Sequence, residues 1–284
     1  MDNGIQRVGI VGVGRMGETI ALALIDAQVP VLLKSTRSSS EVLNQLSKRF
    51  SRTHKQLTES EIAAAFSATR ILSSYEDLAE ADLVIECVPE DLSVKRSVFQ
   101  ALEKVCGAAT IFATNTSSLS VEELAQVTKR PNQFLGLHFF NPADKMPLVE
   151  MISLPSTEQN VKDRASEFLQ RIGKHPVQVA NVSGFIVNRL LFAMIGEAIR
   201  LLQAQVASRE DIDAAMKLGS NHPMGPLELA DFIGLDVCHQ ILTRLAATGN
   251  SFYESPSLLQ QMVQRGDLGR KTGRGFYEYA QASR

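Results

Sequence analysis

The sequence predicts an α/β protein: an N-terminal Rossmann doubly wound sheet followed by an all-helical C-terminal domain. Three observations carry this. Apolar, β-branched runs alternate with helix-like segments through the first half. The first run leads directly into Gly12-Val13-Gly14-Arg15-Met16-Gly17 and then into a helix. From residue 184 onward no segment reads as a strand, so the domains are placed at 1–183 and 184–284.

Residues 7–11 (RVGIV) read as a buried strand, 18–27 as an Ala/Leu/Ile-rich helix and 30–34 as a second strand. Residues 82–88 form another near-continuous apolar strand, and 92–105 a helix. Residues 110–115 are a strand, after which Ser120 and Glu123 form a capping box for the next helix. Residues 134–139 are a further strand, and Pro147-Leu148-Val149 begins one more. Strands alternating with helices argue for a parallel sheet covered on both faces, with ligands beyond the strand C-termini. Glu90, Asn115, Ser117 and His138 all fall there. In the C-terminal part, 184–207 reads as a long apolar-rich helix, Ser208 caps the next, and Pro226 opens a helix over 227–246. Its apolar faces suit a dimerisation module or packing on the first domain. There is no internal repeat.

The glycines have separate physical jobs. Gly12 allows a tight turn, Gly14 lets a pyrophosphate approach the backbone, and Gly17 lets helix pack closely on strand. The helix N-terminus then offers N–H groups and partial positive charge to the phosphates. NAD sites usually place an acid roughly 20 residues further on, against the ribose 2′-hydroxyl. Here the second strand is followed by Ser35-Thr36-Arg37, with no acid before Glu41. Ser35 and Arg37 suit a 2′-phosphate, so NADP or dual use is expected ahead of strict NAD use. A solvated loop, with NAD held through its pyrophosphate, is the plainer alternative.

Lys+Arg 29 against Asp+Glu 31 gives a net charge of -2, which leaves no global field for nucleic acid or an anionic membrane. Residues 34–55 depart from that average, with six basic residues (Lys34, Arg37, Lys48, Arg49, Arg52, Lys55) against the single acid Glu41. Charged helix faces are usually just solvated. The functional alternative is a landing site for the phosphates of a cofactor or of a carrier such as CoA or phosphopantetheine. Cys87, Cys106 and Cys238 lie far apart and form neither a disulfide framework nor a metal-ligand spacing. Residues 1–7 are too short and polar for a signal peptide, and no apolar run reaches the roughly 20 residues of a membrane span. A soluble, cytoplasmic protein is expected.

The candidate chemistry centres on two residues. His138 ends an apolar strand, and Glu150 is embedded in the next one, twelve residues later. Strand carboxylates are costly unless paired, so each is expected to hold the other. A carboxylate beside an imidazole fixes its tautomer and raises its basicity, which suits a general base near neutral pH. Ser117, in Asn115-Thr116-Ser117-Ser118, could be a helix-terminal polar group or a substrate or nicotinamide contact. Asn188 interrupts an apolar helix, and a buried Asn demands partners such as a substrate oxygen.

Together these residues resemble the 3-hydroxyacyl-CoA dehydrogenase family, which includes the bacterial 3-hydroxybutyryl-CoA dehydrogenases. The resemblance spans nearly the whole chain. Its motifs are GVGRMG, NTSS, GLHFFNP, SGFIVNRL, AMKLGSNHPMGPLELADFIGLD and LGRKTGRGFYEY. It implies reversible hydride transfer between a nicotinamide and C3 of a 3-hydroxyacyl thioester. His138 would be the base, oriented by Glu150, with Ser117 and Asn188 binding and polarising the substrate. Glu90, Lys95, Asn115, Asn141 and Lys271 would be cofactor contacts around the nicotinamide half. The basic segment through Lys48 and Lys55 falls in the family's helical CoA-contacting insert, which is shorter here than in some members. A homodimer through the C-terminal domain is also implied.

Two positions depart from the family pattern. Ser35 stands where the family usually has the ribose-binding acid, and Ser183 where it often has Pro. Three other readings compete. The substrate could be an acyl-carrier-protein thioester in a biosynthetic pathway. It could be a small free hydroxy acid, which would need a cation near His138, where only Lys145 is offered. The chain could also be a non-catalytic cofactor-binding structural protein.

Overall fold

The computed structural model describes residues 4–280, and the chain divides into two compact units, 1–182 and 183–284. The signal-peptide reading and the outer ends of both predicted domains extend to residues 1–3 and 281–284, which lie outside the described residues.

The first unit is built on eight strands: β1 (Val8–Val11), β2 (Val31–Lys34), β3 (Thr69–Leu72), β4 (Leu83–Glu86), β5 (Ile111–Thr114), β6 (Phe134–Phe139), β7 (Leu148–Ser153) and β8 (His175–Ala180). They form one sheet in the order β3-β2-β1-β4-β5-β6-β7-β8. Strands β1, β4, β5 and β6 are buried along their whole length, which is why they read as continuous apolar runs. The outer strands β3 (TRIL) and β8 (HPVQVA) are largely half-buried or exposed, and they carry no such run. Pro176 in β8 is tolerated because an edge strand needs fewer ladder bonds.

The expected parallel sheet needs one correction: β6 and β7 run antiparallel, while every other neighbouring pair is parallel. Residues 140–147 are too few for a helical crossover, which takes about a dozen residues or more, so β7 returns beside β6 in the opposite sense.

Helix α1 (Arg15–Asp26) starts three residues earlier than the expected 18–27. Helix α2 (Ser39–Thr53) buries Val42, Leu46 and Phe50 as one stripe and leaves its basic residues outward or half-buried. Helix α3 (Glu59–Ala65) opens with a reciprocal capping box between Thr58 and Glu61. Helix α4 (Leu92–Val105) is capped by Asp91 and buries Lys95, Val98, Phe99 and Leu102. Helix α5 (Val121–Ala125) has only half of its expected box. Ser120 accepts from the Glu123 N–H, while the Glu123 carboxylate takes Arg96 instead. Helix α6 (Gln159–Arg171) precedes β8. Ile10, Leu24, Leu33, Ile85 and Leu137 belong to the core that these layers enclose.

The second unit is helical: α7 (Val187–Gln203), α8 (Arg209–Gly219), α9 (Pro226–Ile233), α10 (Leu235–Ala246) and α11 (Ser257–Arg265). The helix expected over 184–207 starts late because Gly184 (φ 76) and Phe185 (φ 50) are left-handed. The helix expected over 227–246 is two helices, broken at Gly234, whose φ of 106 no regular helix accommodates. Ser208 caps α8 as expected. Asp213 of α8 takes the N–H groups of Leu227 (2.8 Å) and Glu228 (3.0 Å), doing the capping that Gly225 cannot. Phe192, Ile199, Leu227, Leu235 and Leu242 pack at the centre. Among the described residues, no helix is long and apolar enough to cross a membrane.

Candidate active site

The glycine turn between β1 and α1 meets all three demands placed on it. Gly12 has φ 97, and a Cβ there would lie 2.8 Å from the Cys87 carbonyl and the Val88 nitrogen. A Cβ on Gly17 would lie 2.0 Å from the Gly12 carbonyl oxygen, so helix and turn touch only because it is glycine. Gly14 faces open space, with nothing within 4 Å of its Cβ position, and as N-cap it brings no side chain to the first amides of α1. An open approach to an uncapped helix N-terminus fits a dinucleotide pyrophosphate. Arg15 is exposed there, and Met16 packs half-buried against the core.

At the end of β2, Ser35 accepts from the Arg37 N–H at 3.0 Å. The Arg37 guanidinium is already engaged: it reaches Glu18 Oε1 (2.9 Å), Gln45 Oε1 (2.7 Å) and the Val13 carbonyl. Glu18 is nearly buried in α1 and also accepts from Gln45 at 2.7 Å. Sequence reasoning singled out Arg37 but missed Glu18, which neutralises it. The signal was present: an acid in an otherwise apolar helix.

Next along the strand ends, Glu90 organises the turn after β5. Its Oε1 accepts from Thr116 Oγ1 (2.6 Å), Ser118 Oγ (2.9 Å), the N–H groups of Ser117 (3.0 Å) and Ser118 (3.1 Å), and Ser117 Oγ (3.3 Å). Burial alone would raise this carboxyl. The Lys95 charge and the bonds from Thr116, Ser118 and Ser117 outweigh it and hold it below the ordinary carboxylate value. Lys95 is only 1 % exposed and lies 3.4 Å from Glu90 Oε2, with its main contacts to Glu86. Asn115 Oδ1 accepts from the Phe139 N–H at 2.9 Å, tying the end of β5 to that of β6 beside His138.

His138 and Glu150 meet directly. They are partners in the β6–β7 register, both are buried, and Nδ1 lies 2.7 Å from Oε2. The Phe140 ring flanks the imidazole at 4.6 Å between centroids. The antiparallel return of β7 makes this pair possible. The fold thus brings Ser117 and Glu90 into one hydrogen-bonded set at the carboxyl ends of neighbouring strands, with Asn115 tied to Phe139 and with His138 and Glu150 on the next strand pair.

Asn141 is exposed, just past β6. Lys48 in α2 and Lys55 just after it are exposed, and Arg49 lies 3.8 Å from Asp144. Asn188 and Lys271 belong to the second unit. Asn188 interrupts the apolar-rich α7 as expected, in its first turn, but is half-buried rather than buried. Lys271 is exposed and paired with Asp236.

A dinucleotide turn and a carboxylate-held imidazole at the carboxyl ends of strands of one sheet define a nicotinamide-dependent oxidoreductase. Residues 7–182 match the 3-hydroxyacyl-CoA dehydrogenase NAD binding domain, and residues 184–279 match the C-terminal domain of the same enzymes. The chain is 43% identical over 281 residues to a 3-hydroxybutyryl-CoA dehydrogenase of Clostridioides difficile, covering 96% of this chain and 99% of that protein. It is 41% identical over 294 residues to a mitochondrial hydroxyacyl-coenzyme A dehydrogenase of Rattus norvegicus, covering 97% and 91%. The solved structure of an (S)-3-hydroxybutyryl-CoA dehydrogenase from Ralstonia eutropha superposes with a TM-score of 0.93 at 39% identity, covering 98% of this chain and 100% of that one. The chain belongs to the 3-hydroxyacyl-CoA dehydrogenase family, whose members are oxidoreductases acting on a CH–OH group.

Proposed function

We propose that the chain catalyses reversible hydride transfer between a nicotinamide cofactor and C3 of a 3-hydroxyacyl-CoA of the 3-hydroxybutyryl-CoA type. The observation that carries this reading is the buried His138–Glu150 pair. In the oxidative direction His138 Nε2 takes the proton of the 3-hydroxyl; in the reductive direction the imidazolium returns it. Glu150 accepts from Nδ1–H, which fixes the tautomer and offsets the charge that His138 gains. Ser117 holds the same substrate oxygen, and Glu90 holds Ser117 in place. The nicotinamide, when bound, accepts or supplies the hydride. Gly12, Gly14 and Gly17, with the first turn of α1, hold its pyrophosphate, and Glu90, Asn115 and Asn141 border its nicotinamide half.

Three finer readings belong to the same proposal. Ser35 removes the carboxylate that would repel a 2′-phosphate, while Glu18 neutralises Arg37, so NAD and NADP are both accepted. Lys48 and Lys55 meet the phosphates of the CoA nucleotide. The second unit forms a homodimer, because it exposes Leu190, Val206, Leu218 and Phe232 and a 340 Å³ apolar groove lined by Met194, Leu201, Ile212 and Met216. The three cysteines are free thiols, as a reducing cytoplasmic setting would keep them.

The test is a steady-state matrix of both reduced cofactors against acetoacetyl-CoA, longer 3-ketoacyl-CoA esters and an acetoacetyl-acyl-carrier-protein. Turnover of the CoA esters supports the proposal. Turnover of the carrier-protein thioester alone moves the substrate to that class, and no turnover of any thioester overturns the reading.

A further inference from the structure

Glu86 takes no part in the chemistry above, yet it is the most enclosed charge of the site. It ends β4, paired in register with Val11 of β1 and Thr114 of β5, and it is 0% exposed. Its carboxylate accepts from Lys95 Nζ (2.7 and 2.9 Å), Thr114 Oγ1 (2.7 Å) and the Val88 N–H (2.7 Å). Burial raises this carboxyl, and the Lys95 charge with these donors opposes the rise. Lys95 sits on the core-facing stripe of α4, where an apolar residue would normally go. Replacing a buried ion pair by apolar groups is often neutral or stabilising, so the pair is poorly explained by stability alone.

The geometry gives it another use. Lys95 touches Glu86 on one side and Glu90 Oε2, at 3.4 Å, on the other. The opposite oxygen of Glu90, Oε1, gathers the whole turn 116–118. We infer that Glu86 is a positioning residue for the nicotinamide end of the site, acting through Lys95 on Glu90 and through Glu90 on Ser117. With Glu86 present, Lys95 divides its attraction and Glu90 stays turned to the serines. Without it, a buried ammonium has Glu90 as its remaining carboxylate and draws it inward, which loosens the turn. This inference rests on the proposed placement of Glu90 and Ser117 beside the nicotinamide.

The test compares binding of NADH and of ADP-ribose to the free protein by calorimetry. ADP-ribose reports only the adenosine and pyrophosphate part at the glycine turn. The Glu86→Gln variant removes the Glu86 charge and leaves Lys95 with Glu90 as its remaining carboxylate. We expect its Kd for NADH to rise about tenfold while the Kd for ADP-ribose stays within about twofold. If that variant does not fold, Thr114→Val removes one donor to Glu86 at nearly constant shape, and an NADH-only rise of about threefold is expected. Equal changes for both ligands, or none, overturn the inference. Glu90→Gln separates the two failures. If it leaves NADH binding unchanged, the placement of Glu90 itself is wrong. If it weakens NADH binding while the Glu86 and Thr114 variants do not, only the inference falls.

Discussion

His138 and Glu150 stand opposite each other across the antiparallel β6–β7 pair, with Nδ1 and Oε2 2.7 Å apart and both side chains buried. One break in an otherwise parallel sheet creates this contact. Had β7 continued parallel after a crossover helix, Glu150 would sit elsewhere in the register. Burial leaves the carboxylate little water to bind, so the imidazole is its natural partner, and the imidazole ring is held in one orientation by that bond.

Cofactor choice turns on the end of β2. Ser35→Asp supplies a ribose acceptor and places a carboxylate where a 2′-phosphate would lie. It is expected to weaken NADPH binding by about tenfold or more and to leave NADH binding within about twofold. Arg37→Ala is expected to weaken NADPH more than NADH. Equilibrium titration of both reduced cofactors checks this. Strong and equal NADH preference in all three proteins would remove the proposal of dual use.

The basic helix predicts a split between thioesters. Lys48→Glu with Lys55→Glu is expected to raise KM for acetoacetyl-CoA about tenfold at low ionic strength, with the effect shrinking as salt rises. KM for an acetoacetyl-pantetheine thioester, which lacks the nucleotide phosphates, should not move. Equal changes for both substrates would mean that these lysines are only solvated.

Glu90 gives a pH signature in stability. Its folded carboxyl lies below the ordinary value despite burial, owing to Lys95 and the bonds from Thr116, Ser118 and Ser117. A depressed carboxyl contributes stability that is complete above its unfolded pKa and is lost as pH falls through its folded value. Glu90→Gln should therefore be less stable than the parent protein in urea at about pH 7, and the gap should close toward about pH 3. A gap that is unchanged or wider in acid would contradict the geometry.

The second unit leaves Leu218 88% and Phe232 61% exposed. Leu218→Glu with Phe232→Glu is expected to convert a dimer to a monomer in light scattering, because charge in an apolar interface is costly. An unchanged mass would place the interface elsewhere or remove it.

Much of the fold and site was legible in the sequence, and the gaps have physical causes. The buried strands announced themselves because burial on both faces demands unbroken apolar runs. Edge strands β3 and β8 face water and carry no such mark. Glu150 was found because a carboxylate within a strand must be paired. The same rule applied to Glu86, within 82–88, and would have pointed to Lys95 on the buried stripe of α4. Glu18 stood out as an acid in an otherwise apolar helix, but its engagement of Arg37 joins residues on different elements, and sequence spacing does not name that partner. The break at Gly234 depended on one backbone angle, which a single isolated glycine does not specify.

The role of His138 in exchanging the hydroxyl proton stands at the centre of the proposed chemistry. Its most direct test is the turnover of acetoacetyl-CoA with NADH by purified, folded His138→Gln, with NADH binding measured on the same sample. The expected result is a fall in kcat of about 10²–10⁴-fold with the NADH Kd unchanged. Near-normal turnover by that variant would contradict it.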